Sequence, residues 1–118
     1  MPSPVVHFEV IGGEGKTLQT FYGDVFGWKI DANNPMNYGI VDNGGEGING
    51  GISAAPDGST AHATFYVQVD DPQAALDQIE KLGGKTIMPV SAVPGGPTIA
   101  MFTDPVGNRV GLVKTATM

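Results

Sequence analysis

Residues 4–28 read PVVHFEVIGGEGKTLQTFYGDVFGW, and the change of period inside this stretch decides the fold. Through Ile11 the residues alternate. Val6, Phe8 and Val10 fall on one face and His7, Glu9 and Ile11 on the other, as in a strand with one face on a core. Gly12 to Lys16 is a turn. From Glu14 the period lengthens: Leu18, Phe21, Tyr22, Val25 and Phe26 form the apolar stripe of an amphipathic helix. Gly27 stands just past the stripe and reads as its stop. Residues 28–30 then predict a short strand.

Downstream, Asn33-Asn34-Pro35 is a turn and residues 37–41 predict a strand. A Gly-rich connection at 42–47 leads to a strand at 48–53 and a linker at 54–60. There the order begins again. Residues 63–69 alternate, with Phe65, Val67 and Val69 on one face and Thr64, Tyr66 and Gln68 on the other. Asp71-Pro72 is a helix start, a capping carboxylate followed by proline at the first helical position. Ala75, Leu76, Ile79 and Leu82 make the stripe, and Gly83-Gly84 ends it. Strands at 85–89, 98–103 and 109–114 follow, the last two joined by the turn Asp104-Pro105-Val106-Gly107-Asn108.

Both halves read β-α-β-β-β. An offset of 57 places His7 on Thr64, Val10 on Val67, Gly27 on Gly84 and Ile30 on Ile87. After a four-residue insertion in the SAVPGGP loop, an offset of 61 places Gly50 on Gly111. This is an internal duplication. One such half leaves a sheet face uncovered. Two halves side by side predict a single α+β domain over 1–118, with modules 1–55 and 61–116 joined by the linker 54–60. The expected form is two paired βαβββ modules in a curved mixed sheet, with a concave cleft and helices on the outer face. Val6, Phe8, Val10, Phe65 and Val67 are expected under helices bearing Leu18, Phe21, Tyr22, Leu76, Ile79 and Leu82.

Composition narrows the function. The 118 residues are 41% hydrophobic and 15% charged, too apolar for a disordered chain. Six basic against twelve acidic residues give a net charge of −6, which argues against nucleic acid as a partner. Cysteine is absent, which excludes disulfides, thiolate metal sites and a cysteine nucleophile. No apolar run reaches the ~18–20 residues of a membrane span, and no leader pattern opens the chain, so a cytoplasmic protein is expected. The 18 glycines lack a period and point to turns and close backbone approaches. The GGEGK stretch lacks phosphate-loop spacing, and no strained Gly-x-Ser-x-Gly turn presents a nucleophile.

The paired βαβββ pattern, with FYGDVFGW at 21–28 and FTDPVGNRVGLV at 102–113, resembles the glyoxalase / bleomycin-resistance / extradiol-dioxygenase superfamily, the vicinal oxygen chelate fold. The resemblance covers nearly the whole chain. It implies a ligand cleft, a C2 homodimer and, in metal-dependent members, a divalent ion held from the first and last strands of each module. It places the four ligand positions at His7, Thr64, Gly50 and Gly111. The stretch DPVGNRVG stands where metal-dependent members read D-P-x-G-x-x-x-E. One ligand of four is retained, so no cofactor is expected. The alternative is a divalent metal in a rebuilt site of His7, Glu9 and His62.

These readings give a glyoxalase-like small-molecule-binding protein with a degraded metal site, taking a metabolite or an antibiotic-like compound. The alternative is a lyase, isomerase or dioxygenase with a non-standard metal site or with acid–base chemistry at Glu9 and His7. His7, Glu9, Thr64, Tyr66, Gln68, Arg109 and Trp28 are the expected ligand-binding residues. Trp28 and Tyr38 are read either as stacking platforms for a flat ligand or as packing aromatics. Glycine at 50 and 111 is expected to leave an open floor between the site residues.

Overall fold

A computed structural model describes residues 2–55 and 60–115. The fold is α+β, with two helices and eight strands in mixed pairing among the described residues, as the duplicated pattern implied. Residues 56–59 of the expected linker and residue 116 of the second module lie outside the described residues. The chain forms two compact units. One is His7–Thr64; the other takes Phe65 onward together with the first residues through Val6. The division therefore falls inside the first strand, which gives its opening residues to the second unit. There the Gln68 N–H donates to the Pro4 carbonyl at 2.8 Å.

In the first unit β1 (Val5–Ile11) leads to α1 (Gly15–Phe26), β2 (Lys29–Asp31), β3 (Gly39–Asp42) and β4 (Gly50–Ser53). The strand order is β2-β3-β4-β1, with β4 parallel to β1 and the other pairs antiparallel. Gly27 ends α1 in the left-handed conformation at φ 72°, its N–H returning to the Gly23 carbonyl at 2.9 Å. One face of this sheet carries Phe8, Val10, Val41 and Ile52 beneath α1; Val41 and Ile52 are fully buried. The Gln19 side chain ties α1 to β4, its Nε2 donating to the Ile52 carbonyl at 2.8 Å. Phe8 packs on Trp28 at 5.3 Å between ring centroids, and Trp28 packs on Tyr22 and Phe26. Phe21, expected in the buried stripe that α1 lays on the sheet, is instead 56% exposed, and it is Tyr22 that packs on Trp28.

The second unit takes β5 (His62–Val69) from Phe65 onward, then α2 (Pro72–Lys81), β6 (Lys85–Ala92), β7 (Thr98–Thr103) and β8 (Arg109–Lys114), in the strand order β5-β8-β7-β6. Asp71 caps α2 as expected, its carboxylate accepting from the Ala74 N–H at 3.1 Å. Leu76, Ala100 and Leu112 are the buried centre, with Val67, Val69, Ala75, Ile79, Val90 and Phe102 packed around them. Leu82 is 71% exposed rather than part of the stripe, since it is the C-cap residue and has left helical geometry. Phe65 is also partly exposed, at 42%, one strand repeat short of the Val67–Val69 end that packs against Leu76. β6 runs past the expected end at Pro89 to Ala92. Register shifts against β7 on both sides of Met88 accommodate a proline that lacks an N–H. No helix among the described residues is long and apolar enough to cross a membrane.

Candidate functional site

The alternation of β1 decides which side chains meet. Phe8 and Val10 go under α1, so His7 and Glu9 share the other face. Register then selects their neighbours. Glu9 lies opposite Gly51, and Gly51 lies opposite Ile40, whereas Gly50 pairs with Phe8 on the α1 face. The β4 position beside Glu9 is therefore Gly51, not Gly50. In the second unit Gly111 pairs with Tyr66. With Tyr66 matching Glu9 in the repeat, the equivalent of Gly111 is Gly51, an offset of 60 rather than 61. The difference arises because the sequence offset was anchored on glycine identity inside a Gly-Gly pair, where either residue aligns equally well.

The glycines do not leave an open floor. A Cβ on Gly51 would overlap the Tyr38 phenol, which lies directly against that backbone. A Cβ on Gly111 would come within 2.5 Å of the Tyr66 ring, and one on Gly50 within 2.5 Å of the Phe8 ring. Each glycine is the seat of an aromatic ring, so the space is filled.

Tyr38 is what joins His7 to Glu9. Its hydroxyl donates to Glu9 Oε2 at 2.9 Å and lies 2.9 Å from His7 Nε2. The His7 and Tyr38 rings are close to parallel, 16° apart in plane, with centroids 6.4 Å apart. The backbone of Tyr38 is clamped by one side chain. Asn34 accepts from the Tyr38 N–H at 3.0 Å and donates to the Tyr38 carbonyl at 2.8 Å. The loop beneath it is braced by Asp31, which accepts from the Asn33 N–H, and by Asn37 in the left-handed region at φ 53°. An asparagine tolerates that conformation better than most residues with a side chain. This local geometry keeps residues 37 and 38 out of β3, which begins at Gly39 rather than at 37. Burial pushes the His7 imidazole below its ordinary pKa of 6.5, because removing water disfavours the cation. Burial thus favours the neutral imidazole at His7.

The other expected residues are placed as follows. Trp28 stacks within the Phe8–Tyr22–Phe26 cluster, on the sheet face opposite His7 and Glu9. Thr64 is buried, and Tyr66 is only 6% exposed. Gln68 is half-buried, and Arg109 opens β8 opposite Thr103 on the exposed side. His62 turns its Nδ1 to the Thr60 carbonyl at 3.0 Å. It lines a hollow of about 660 Å³ with Val10, Leu18, Thr17 and Tyr22, at the start of α1 and away from the His7–Glu9 pair. Among the described residues no three His, Asp or Glu side chains gather where they could share a metal ion, so His62 does not join His7 and Glu9. The participant that sequence reasoning left out is the Tyr38 hydroxyl. Its signal was the Gly50-Gly51 pair inside a strand, since glycine in a strand marks a close approach by another group.

Comparison with known proteins agrees with this architecture. A family model described as Glyoxalase/Bleomycin resistance protein/Dioxygenase superfamily matches residues 5–112. A protein of Mycobacterium tuberculosis (strain CDC 1551 / Oshkosh), CFP32, whose name marks it provisionally as a glyoxylase, is 32% identical over 101 residues. That match covers 78% of this chain and 38% of CFP32, so the chain spans well under half the length of that relative. A glyoxylase-like domain-containing protein of Didymella fabae is 32% identical over 98 residues, covering 75% of each. Among solved structures, a variant of Streptomyces coelicolor methylmalonyl-CoA epimerase in complex with 2-nitronate-propionyl-CoA superposes with a TM-score of 0.63 at 14% identity. It covers 99% of this chain and 100% of that one. At that identity the likeness concerns the fold.

Proposed function

Because the chain belongs to the glyoxalase/bleomycin resistance protein/dioxygenase superfamily, we propose that it is a small-molecule-binding protein in which a hydrogen-bonded His7–Tyr38–Glu9 group stands in place of a metal centre. The observation that carries this reading is the Tyr38 phenol seated on Gly51. A divalent ion needs about three protein ligands, with carboxylates supplying both charge and oxygen. The β4 position beside Glu9 has no side chain and no room for one, and the same holds at Gly111 under Tyr66. The residues present do not fit a metal-chelating set. They fit a site that recognises its ligand by hydrogen bonds and apolar contact.

The ligand class in this reading is a metabolite or antibiotic-like compound with polar oxygens. A coenzyme A ester is a reasonable first probe, because the Streptomyces coelicolor structure of the same fold holds one. The reading includes a cytoplasmic homodimer. The absence of cysteine is in keeping with that compartment. The edge strands of the two units, β2 and β6, are of the kind a second copy can cover.

A second reading is favoured by the neutral His7 linked through Tyr38 to a carboxylate. Such a group can act as an acid–base unit in a lyase, isomerase or related enzyme without a metal. One experiment separates the readings. The purified protein is screened against coenzyme A esters and small aromatic acids by Trp28 fluorescence and calorimetry, with turnover followed by mass spectrometry. Binding without turnover, weakened at least tenfold in His7→Ala, supports the binding protein. Turnover abolished in His7→Ala supports the enzyme. Equal binding by wild type and His7→Ala places the ligand elsewhere, with the hollow beside His62 the next site to test. Tyr66→Ala is not a clean probe, because a side chain this buried will cost stability as well.

A further inference from the structure

We propose that the hollow at the start of α1 is a second binding site, for a planar aromatic molecule whose polar end is an amine. It is separate from the His7–Tyr38–Glu9 group: Val10, which lines it, is on the α1 face of β1, and His7 and Glu9 are on the other. All the residues that line it belong to the first unit. Its volume of about 660 Å³ is in the range of small-molecule sites. The hollow exists because bulk is missing where a helix meets a sheet. Ala63 stands on the face of β5 that carries Phe65 and Val67 further along, and a methyl group leaves the space that a larger side chain would fill. The floor is closed by backbone. A Cβ on Gly12 would come within 2.5 Å of the Ala61 Cβ, so the chain leaving β1 and the chain entering β5 touch there.

The facing wall is Leu18 and Tyr22 of α1 with Val10 of β1. All three are only half-buried, and α1 buries none of its residues, whereas α2 buries Leu76. Tyr22 is held by stacking on Trp28 and Phe26, so its ring is a fixed wall against which another ring can pack. Charge selects the polar end of the ligand. Glu14 is the charged carboxylate among the lining residues, and Thr17 donates its hydroxyl hydrogen to Glu14 Oε2 at 3.2 Å. The neighbouring His62 alternates to the other face of β5, with Nδ1 held by the Thr60 carbonyl. The start of α1 adds the opposite sign, about half a positive charge. Glu14 stands at that start with a whole negative one and makes no side-chain cap to α1. The field at the mouth is therefore negative and favours an ammonium group over a carboxylate. Glu14 is exposed, so its attraction is modest: the rings supply the affinity and the charge supplies the choice.

The test uses two probes that share a ring and differ in charge. Backbone nitrogen–proton correlation spectra of the labelled full chain are recorded during titration with tryptamine and with indole-3-acetate, up to millimolar concentration. Tryptamine is expected to shift the Gly12, Gly13 and Ala63 amides saturably, and to bind about threefold or more tighter than indole-3-acetate. Glu14→Gln is expected to erase that preference. Ala63→Leu, at an exposed position, is expected to fill the slot and weaken tryptamine about tenfold or more. The proposal is overturned by any of three results: no saturable shift at those amides, equal binding of the two probes, or Ala63→Leu binding tryptamine as wild type does. Shifts centred on His7 and Tyr38 instead count as the first of these. If Ala63→Leu fails to fold, the wild-type shift map and the Glu14→Gln preference still decide. Coenzyme A esters that bind His7→Ala as well as wild type would defeat the reading of the His7–Tyr38–Glu9 group and leave this site standing, so the two failures are distinguishable.

Discussion

Replacing Gly51 by alanine should be among the costliest single-methyl additions in this chain, and the structure says why. The φ of Gly51 lies outside the left-handed region, so the backbone itself would accept alanine. The obstacle is the Tyr38 phenol, which already occupies the Cβ position. Forcing a methyl group into packed space costs about 1–3 kcal/mol. If the phenol swings away instead, its bonds to Glu9 and His7 go with it. Those are worth about 1.5–3 kcal/mol for the charged partner and about 1 kcal/mol for the neutral one. The Asn34 clamp resists the swing at the backbone. Against this, alanine restricts the unfolded chain and returns about 0.4–1 kcal/mol. The net expectation is a loss of about 1.5–3.5 kcal/mol, roughly 6–14 °C in melting temperature for a domain of this size.

The measurement is urea unfolding of four proteins: wild type, Gly51→Ala, Tyr38→Ala and the double variant. With the phenol gone the methyl has nowhere to clash. Gly51→Ala in the Tyr38→Ala background should then cost under about 0.5 kcal/mol, and the coupling energy should exceed about 1 kcal/mol. Equal costs for Gly51→Ala in both backgrounds would refute the seating of Tyr38 on Gly51. The argument against a carboxylate at that position would fall with it.

Three further outcomes are expected. Purified protein should carry well below one equivalent of nickel, zinc, iron or manganese by elemental analysis; stoichiometric metal whose chelation lowers thermal stability would contradict this. Stability should decline as pH falls through about 6.5, the ordinary histidine value. The folded His7 resists protonation that the unfolded chain accepts, so the unfolded state binds more protons there. This contribution is intact above the unfolded pKa, is lost as pH drops towards the lower folded one, and should be missing from the pH profile of His7→Gln. Finally, Leu76→Ala should cost about 2–5 kcal/mol, since Leu76 is only 2% exposed, whereas Leu82→Ala should stay within about 0.5 kcal/mol by the same denaturation assay.

The fold was legible because periodicity is a property of every residue in an element. The alternation of Val6, Phe8 and Val10, the stripe of α1 and the Asp71-Pro72 start of α2 each state their structure locally, and a repeat states it twice. The face of His7 and Glu9 followed from the same parity. The site was harder for a physical reason. It is made by a loop residue, Tyr38, whose neighbours lie 31 and 29 positions away in sequence. Its placement depends on Asn34 closing the turn at 34–38, not on any period. Register within Gly50-Gly51 was equally hidden, because two adjacent glycines carry no side chain to say which face either one serves. Yet the pair did hold the information in another form. A strand interior gives up packing and entropy to hold two glycines, and it does so where something must come close. Here two rings do, Phe8 on one face and Tyr38 on the other. The same logic applies at Gly111 under Tyr66. Glycine at 50, 51 and 111 is what the strand backbone needs wherever a ring lies directly against it, so these positions are explained by the rings that pack there.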